Sequence, residues 1–151
     1  MNYLAYHCIW LVGLLLIACQ PAANDPTRMN AYADKLNATK QHYPFDNWRT
    51  YYQREDIRSF EPEGVEDTNA IQAIFDQLLT KLIMLGEEAS EKKKVKQIIL
   101  AIEATNDYSG LIMTEQREEL CDLTDEITIA CGLDPTDYAK GAGLADEARD
   151  W

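Results

Sequence analysis

The sequence predicts an all-α protein, arranged as an antiparallel bundle of four to five helices with short loops. Apolar residues recur at spacings of three and four along much of the chain, as they do on one face of an amphipathic helix. No segment alternates cleanly between apolar and polar residues, and no Asn-Gly or Asp-Gly pair marks a β-hairpin. Glycine and proline stand mainly between the periodic segments, where helices are expected to end.

The first predicted helix covers about residues 26–40. Asp25 followed by Pro26 is typical of an N-cap and the first residue of a helix. Three apolar residues then follow at i, i+3 and i+7: Met29, Tyr32 and Leu36. Pro44 interrupts the pattern and separates this helix from the next one.

A cluster of aromatic residues follows Pro44. Asp46 is a candidate N-cap for a second, short helix, on which three aromatic side chains share one face: Trp48, Tyr51 and Tyr52. The cluster either covers one end of the bundle or forms a partner-binding hot spot, since Trp, Tyr and Arg are enriched in hot spots. The helical spacing favours the first interpretation, and Trp48 and Tyr52 are kept as candidate partner-binding residues.

The clearest helical pattern follows a loop predicted over residues 61–67. We expect Asp67 or Thr68 to cap this third helix and Gly86 to end it. Its apolar stripe has seven members: Ile71, Ile74, Phe75, Leu78, Leu79, Leu82 and Leu85. A stripe of this length predicts a helix that is buried along one face.

Ser90 is expected to open a fourth helix, which ends in residues 106–110. Its buried side is predicted to carry Val95, Ile98, Ile99 and Ile102. The basic run at residues 91–96 is interpreted as a solvated face, because three glutamates surround it. The run is too short and too neutralised to indicate nucleic-acid binding.

A fifth helix is predicted from Thr114, the expected N-cap, to Gly132, the expected stop. Its apolar stripe consists of Leu120, Leu123, Ile127 and Cys131. Asp134 and Pro135 begin a final short turn of helix, and the chain is expected to trail off from there to Trp151.

The first 19 residues carry no Asp, Glu, Lys or Arg, and they suit a secretory signal better than a spanning helix, which needs about 20 apolar residues. At the end of this run, Leu16-Ile17-Ala18-Cys19 resembles the lipobox of bacterial lipoproteins. The resemblance implies cleavage before Cys19, acylation of this residue and a stable lipid anchor. Gln20 resembles the outer-membrane sorting signal of a diderm host. An uncleaved signal anchor is the alternative.

These features divide the chain into a lipoprotein signal peptide (1–18), a flexible tether (19–28) and an acidic helical domain (29–151). The formal net charge of the chain is −12, and residues 107–151 contain 12 acidic and three basic side chains. This charge argues against nucleic acid and against direct adhesion to anionic lipid. It favours a basic protein as the partner.

Six acidic residues crowd the fifth helix: Glu115, Glu118, Glu119, Asp122, Asp125 and Glu126. A solvated outer face is the favoured interpretation, and a carboxylate site for a metal or for acid–base chemistry is the sharper alternative. An intermediate interpretation is a surface that binds a basic protein, so all six acidic residues are candidate partner-binding residues. No metal site, cofactor or catalytic residue is predicted, because His42 is the single histidine after Cys19 and no HExxH or CxxC spacing occurs.

Two cysteines, Cys121 and Cys131, fall on the fifth predicted helix, ten residues apart. A rise of 1.5 Å per residue separates them by about 15 Å, whereas a disulfide tolerates a Cα separation of only about 7 Å. The favoured interpretation is two free thiols. A break in the helix, with a disulfide across it, is the alternative.

The sequence therefore predicts a lipid-anchored binding protein of the bacterial envelope without enzymatic activity, facing the periplasm from the outer membrane of a diderm host. An inhibitor or immunity-type protein for a basic partner is its most concrete version. The alternative is a structural or assembly lipoprotein that uses its aromatic face together with Leu100 and Ile129, which lie opposite the stripes of their helices. Residues 113–127 and 143–151 also resemble small helical bacterial proteins that end in an acidic-tryptophan tail.

Overall fold

A computed structural model describes residues 26–151 of the chain. Seven α-helices follow one another: α1 (Pro26–Ala38), α2 (Phe45–Tyr52), α3 (Glu55–Arg58), α4 (Gly64–Leu85), α5 (Glu91–Thr105), α6 (Thr114–Ala130) and α7 (Ala145–Ala148). No strand occurs within the described residues, and the predicted all-α bundle is confirmed, with five helices of eight residues or more. The predicted signal peptide and Cys19 lie outside these residues.

Helix α4 lies at the centre of the bundle and packs against α1, α2 and α5. Five members of its predicted stripe are buried: Ile71, Phe75, Leu78, Leu79 and Leu82. Helix α6 packs against α1 and α7, and its four predicted stripe residues are buried as well. These side chains belong to one apolar core, to which α1, α2 and α5 also contribute. No helix of residues 26–151 combines the length and the apolar character needed to cross a bilayer.

Helix α1 begins at Pro26, as the Asp-Pro pair predicts, and ends in a 3-10 turn at Thr39–His42. Residues 26–28 of the predicted tether therefore belong to this helix. Arg28 lies 3.6 Å from Glu88 in the loop after α4, which links the start of the helix to the rest of the bundle through an exposed ion pair.

The predicted helix ends are mostly confirmed, whereas two predicted caps are displaced by one or two residues. Gly86 and Gly132 follow α4 and α6 with φ values of 80° and 79°, which glycine adopts without steric cost. Ser90 occupies the cap position of α5. Pro44 and Met113, rather than Asp46 and Thr114, occupy the cap positions of α2 and α6, so the two predicted caps lie in the first turns instead.

The loop predicted over residues 61–67 is too long, because α4 begins at Gly64. Thr68, a predicted cap, is buried inside the helix, where its hydroxyl donates to the Gly64 carbonyl at 2.6 Å. A Cβ atom on Gly64 would lie 2.5 Å from Cδ1 of Tyr52. The close approach of α2 to the first turn of α4 therefore requires glycine at this position.

Lys94 contradicts the solvated-face interpretation of residues 91–96, because only 5% of it is exposed. Its ammonium group donates to the backbone carbonyls of Glu87 and Cys131, at 2.7 and 2.9 Å. The same group lies 5.3 Å from the ring centroid of Tyr32. Lys94 thus connects α1, the loop before α5 and the end of α6. Within residues 26–151, carbonyl dipoles and an aromatic ring, rather than a carboxylate, compensate its charge.

The C-terminal residues do not trail off from the bundle. Leu144 and Ala145 are buried in the core, and the Trp151 indole N–H donates to the Thr105 hydroxyl at 2.9 Å. The side-chain amide of Asn106 donates to the carbonyl of Ala148 at 3.0 Å. The end of the chain is therefore fastened to the C-terminus of α5.

Cys121 and Cys131 are both free thiols in the structure. Cys121 is half-buried within α6, and Cys131 is buried just after the last residue of this helix. Burial raises the pKa of both thiols, which favours the protonated form. The unbroken helix between them agrees with the favoured interpretation of the sequence.

We expect Gly64→Ala to lower the free energy of unfolding by about 1–2 kcal/mol, because the overlap with Tyr52 outweighs the gain in helix propensity. Chemical denaturation of the full-length protein measures this difference. Gly110→Ala is the matched control, since a Cβ atom there meets nothing within 4 Å. Equal stability of the two variants would contradict the packing argument.

Candidate functional site

A groove runs between α2 and α6, and acidic side chains of α6 line it. Four of the six predicted acidic residues face this groove, at spacings of four, three and four: Glu115, Glu119, Asp122 and Glu126. The groove consists of two adjoining hollows of about 620 and 360 Å³. Asn47 and Glu119 line both hollows and mark the boundary between them.

The larger hollow lies at the N-terminal end of α6. Three carboxylates line it, Glu61 from the segment before α4 and Glu115 and Glu119 from α6. The other described residues that line it are Asn47, Trp48, Tyr51, Tyr52, Gly110, Met113, Thr114 and Gln116, so none of its described lining residues is Lys, Arg or His. The hollow therefore combines negative charge with aromatic and thioether surface.

Trp48 and Glu119 fix the geometry between α2 and α6. The indole N–H of Trp48 donates to Glu119 Oε2 at 2.5 Å, a charge-assisted hydrogen bond that holds the carboxylate against the aromatic ring. In the sequence, Trp48 belongs to the aromatic candidate residues and Glu119 to the acidic candidate residues of the fifth predicted helix. Only the fold brings them together, since they are 71 positions apart.

The two predicted aromatic partner residues belong mainly to the core. Trp48 and Tyr52 are 2% and 3% exposed, and the Tyr52 hydroxyl donates to the Leu111 carbonyl at 3.2 Å. The exposed apolar surface beside them comes from Tyr51 and Met113, which are 42% and 63% exposed. Trp48 and Tyr52 thus form part of the wall of the hollow, and Tyr51 and Met113 supply the accessible contacts at its rim.

The smaller hollow contains the one histidine of the described chain. His42 Nδ1 lies 2.7 Å from Glu126 Oε2, and both side chains are partly or largely exposed. No Ser, Thr or Cys is among the residues of 26–151 that line this hollow. The pair provides a cationic or hydrogen-bonding group at the far end of the groove, next to Asp122.

Glu118 and Asp125 lie outside the groove, although they belong to the same acidic run. Asp125 is directed towards the C-terminal segment, where its Oδ1 would lie 2.3 Å from a Cβ atom on Gly143. This oxygen is buried and accepts no hydrogen bond from the described residues. Burial raises the pKa of the Asp125 carboxyl, and the charges of Asp122 and Asp146 raise it further.

Carboxylates around the start of α4 add to the negative field near the larger hollow. Burial raises the pKa of the Asp67 carboxyl, and three neighbouring glutamates raise it further: Glu63, Glu66 and Glu61. Burial, with smaller contributions from Tyr51, Glu61 and Asp67, raises the pKa of the Tyr52 hydroxyl to about 12. A cationic group is therefore favoured here by the surrounding charge.

Glu61 and Gln116 are among the residues of the larger hollow that the sequence did not mark as candidate site residues. Glu61 lies in a segment that the sequence presented only as a charged loop, and Gln116 looked like an ordinary first-turn residue. Gln116 is 8% exposed, and its Oε1 atom has no hydrogen-bond partner among the described residues. Within residues 26–151, no three His, Cys, Asp or Glu side chains converge as metal ligands would.

We expect Asp125→Asn to raise the melting temperature at pH 7, because a buried amide costs less to desolvate than a buried carboxylate. The folded-state pKa is raised, so the ionised carboxylate lowers stability at neutral pH, and this cost disappears as the pH falls through the folded-state pKa. Thermal unfolding at pH 7 and in acid checks the sign. Glu118→Gln, an exposed neutralisation on the same helix, is expected to show little change. A melting temperature of Asp125→Asn at or below that of wild type at pH 7 would refute the assignment.

Comparison of the chain with protein-family models, with curated proteins and with solved structures found no match.

Proposed function

We propose that this chain is a binding protein whose groove between α2 and α6 receives a basic protein partner. The observation that carries the proposal is the composition of the groove, in which four acidic residues of α6 line the two hollows and the exposed side chains of Tyr51 and Met113 line the larger one. Such a surface attracts positive charge over several ångströms and offers apolar contacts once the partner has docked. An inhibitor or immunity-type role, in which the partner is neutralised by binding, fits this combination.

The acidic residues of the groove are available for a partner to different degrees. The side chains of Glu115 and Asp122 are exposed and form no hydrogen bond or ion pair with the described residues. Glu119 and Glu126 are half-buried and engaged by Trp48 and His42. We infer that Glu115 and Asp122 attract the partner, whereas Glu119 and Glu126 define the shape of the groove that the partner contacts.

We also propose that this protein lies in the bacterial envelope, anchored by acyl chains on Cys19. Its support is the lipobox-like sequence that ends the uncharged N-terminal run. An anchor of several acyl chains would hold the protein at the membrane almost permanently. The groove would then face the periplasm of a diderm host.

A structural or assembly role in an envelope complex is the second candidate. Leu100 and Ile129 are both exposed and lie on different helices, α5 and α6. Exposed apolar side chains of this size suit a contact with another protein. Concentration-dependent oligomerisation of the full-length protein, abolished by Leu100→Ser with Ile129→Ser, would favour this candidate over the first.

We expect the double variant Glu115→Lys, Asp122→Lys to weaken partner capture by roughly tenfold or more, since like charges oppose each other across the interface. Full-length protein in a non-ionic detergent, incubated with envelope extract of the host, provides the measurement. The matched control is the double variant Glu103→Lys, Asp107→Lys, which makes the same change of net charge at two exposed positions away from the groove.

Salt provides an independent test of the same contact. Raising the ionic strength to 1 M shortens the Debye length to about 3 Å and should release the partner. A captured protein that survives both high salt and the charge reversal would contradict a basic partner in this groove. Circular dichroism of the variants verifies that they are folded.

Lipid anchoring is tested separately. We expect labelled palmitate to be incorporated into the wild-type protein in a bacterial host and to be absent from Cys19→Ala. Cys121→Ala should be labelled like the wild type, because this thiol lies inside the folded domain. Equal labelling of Cys19→Ala and wild type would remove the proposed anchor without affecting the groove.

A further inference from the structure

We propose that one end of the bundle lies against an anionic phospholipid surface, so that the larger hollow at the opposite end points away from the membrane. This anchor end consists of the first turn of α1, the last turn of α4 with the loop at residues 86–90, the first two turns of α5 and the end of α6. The inference rests on the lipid anchor proposed for Cys19. It adds the contact surface and the orientation of the domain.

Side-chain contacts bring these elements together at one end of the bundle. Arg28, in the first turn of α1, lies 3.6 Å from Glu88 in the loop after α4. Lys94, in the first turn of α5, donates to the carbonyls of Glu87 and Cys131 at 2.7 and 2.9 Å. The start of α1, the end of α4, the start of α5 and the end of α6 therefore share the anchor end.

The larger hollow belongs to the opposite end of the bundle. Tyr52 lines this hollow and packs against Gly64, where α4 begins. The Tyr52 hydroxyl donates to the Leu111 carbonyl at 3.2 Å, shortly before the start of α6. Helix α4 has 22 residues, so its two ends lie about 33 Å apart at a rise of 1.5 Å per residue. A domain that stands on the anchor end would thus present the larger hollow far from the lipid.

The proposed acylation site is connected to the anchor end by a short segment. Only six residues separate Cys19 from Pro26, where α1 begins. Because an extended chain covers at most about 3.5 Å per residue, the start of α1 lies within roughly 25 Å of acyl chains on Cys19. The anchor would therefore keep this end of the bundle at the membrane surface.

The charge of the chain is divided unevenly between the two ends. Residues 81–96, at the anchor end, contain five lysines and three glutamates. Residues 55–67, before and at the start of α4, contain six acidic side chains and one arginine. The net charge of −12 opposes adhesion of the whole surface to anionic lipid. Its distribution nevertheless turns the anchor end towards a negative membrane and the hollow end away from it.

Three exposed lysines lie in the first two turns of α5: Lys92, Lys93 and Lys96. They form no ion pair with the described residues. Positive charge in the first turn opposes the helix dipole, which favours acidic side chains there. The lysines therefore gain nothing from their own helix, whereas phosphate groups of a membrane would pair with them.

Exposed methionines add apolar contact at the anchor end. Met84, in the last turn of α4, is 81% exposed, and Met29, next to Arg28, is 49% exposed. Methionine is flexible and apolar, so it can enter the boundary between headgroups and acyl chains. Apolar side chains beside several lysines are the combination that binds anionic membrane surfaces.

Oxidation of the native methionines by hydrogen peroxide tests the orientation on the full-length protein. The protein is purified from a bacterial host and transferred to vesicles of phosphatidylcholine, with or without phosphatidylglycerol. Mass spectrometry follows each methionine. We expect Met29 and Met84 to oxidise roughly threefold more slowly on the vesicles with phosphatidylglycerol, because lipid shields the thioether. Met113, which is 63% exposed at the larger hollow, should oxidise equally on both vesicles.

The double variant Lys92→Glu, Lys93→Glu should abolish the protection of Met84. It should leave α5 folded, because acidic side chains suit the first turn of a helix. The matched control is Lys35→Glu, Arg58→Glu, which makes the same change of net charge at exposed positions in the last turn of α1 and in α3. This control should be protected as the wild type is, and circular dichroism verifies that both variants are folded.

Flotation with vesicles of phosphatidylcholine alone reports the lipid anchor separately. Flotation with equal oxidation of Met84 on both vesicles would overturn the inference while the anchor stands. Stronger protection of Met113 than of Met84, or protection that survives the lysine reversal, would also overturn it. Flotation only with phosphatidylglycerol, with Met84 protected, would support the contact surface and overturn the anchor. No flotation with either vesicle would overturn both.

Discussion

The burial of one continuous apolar stripe on α4 is the constraint on which the rest of the structure depends. Its five fully buried side chains require cover on more than one side, and α1, α2 and α5 provide it. Removing this much apolar surface from water is the main favourable contribution to folding. The consequences reach beyond the core, because α2 approaches the first turn of α4 so closely that Tyr52 leaves no room for a side chain at position 64.

A buried polar side chain inside this bundle forms hydrogen bonds to backbone carbonyls at the ends of the helices. Lys94 donates to the carbonyls of Glu87 and Cys131, and thereby joins the loop before α5 to the end of α6. Tyr32 contacts both Cys131 and Lys94: its hydroxyl lies 3.7 Å from the Cys131 sulfur, and its ring faces the Lys94 ammonium group. A buried charge is normally costly, and here carbonyl dipoles and an aromatic ring compensate it.

The same packing creates the groove. Because α2 is fixed against α4, the outer edge of α2 stands opposite α6, and Trp48 reaches Glu119 across the gap. The acidic residues of α6 then fall into two environments. Those at the groove face a partly apolar wall and support the binding role proposed for this surface. Asp125 instead points towards the C-terminal segment, where burial and the charges of Asp122 and Asp146 raise the pKa of its carboxyl.

The sequence by itself determined the fold class, the long helices and the side of α6 that carries four acids, because hydrophobic periodicity and helical spacing are local properties. The sequence also predicted, for the same reason, that Gly86 and Gly132 end their helices and that Cys121 and Cys131 are too far apart for a disulfide. Only the tertiary structure decided that Lys94 is buried, that α4 starts at Gly64 and that the last residues are fastened to α5. It also brought Glu61 and Gln116 to the hollow, since contacts between residues more than 50 positions apart leave no periodic trace in one sequence.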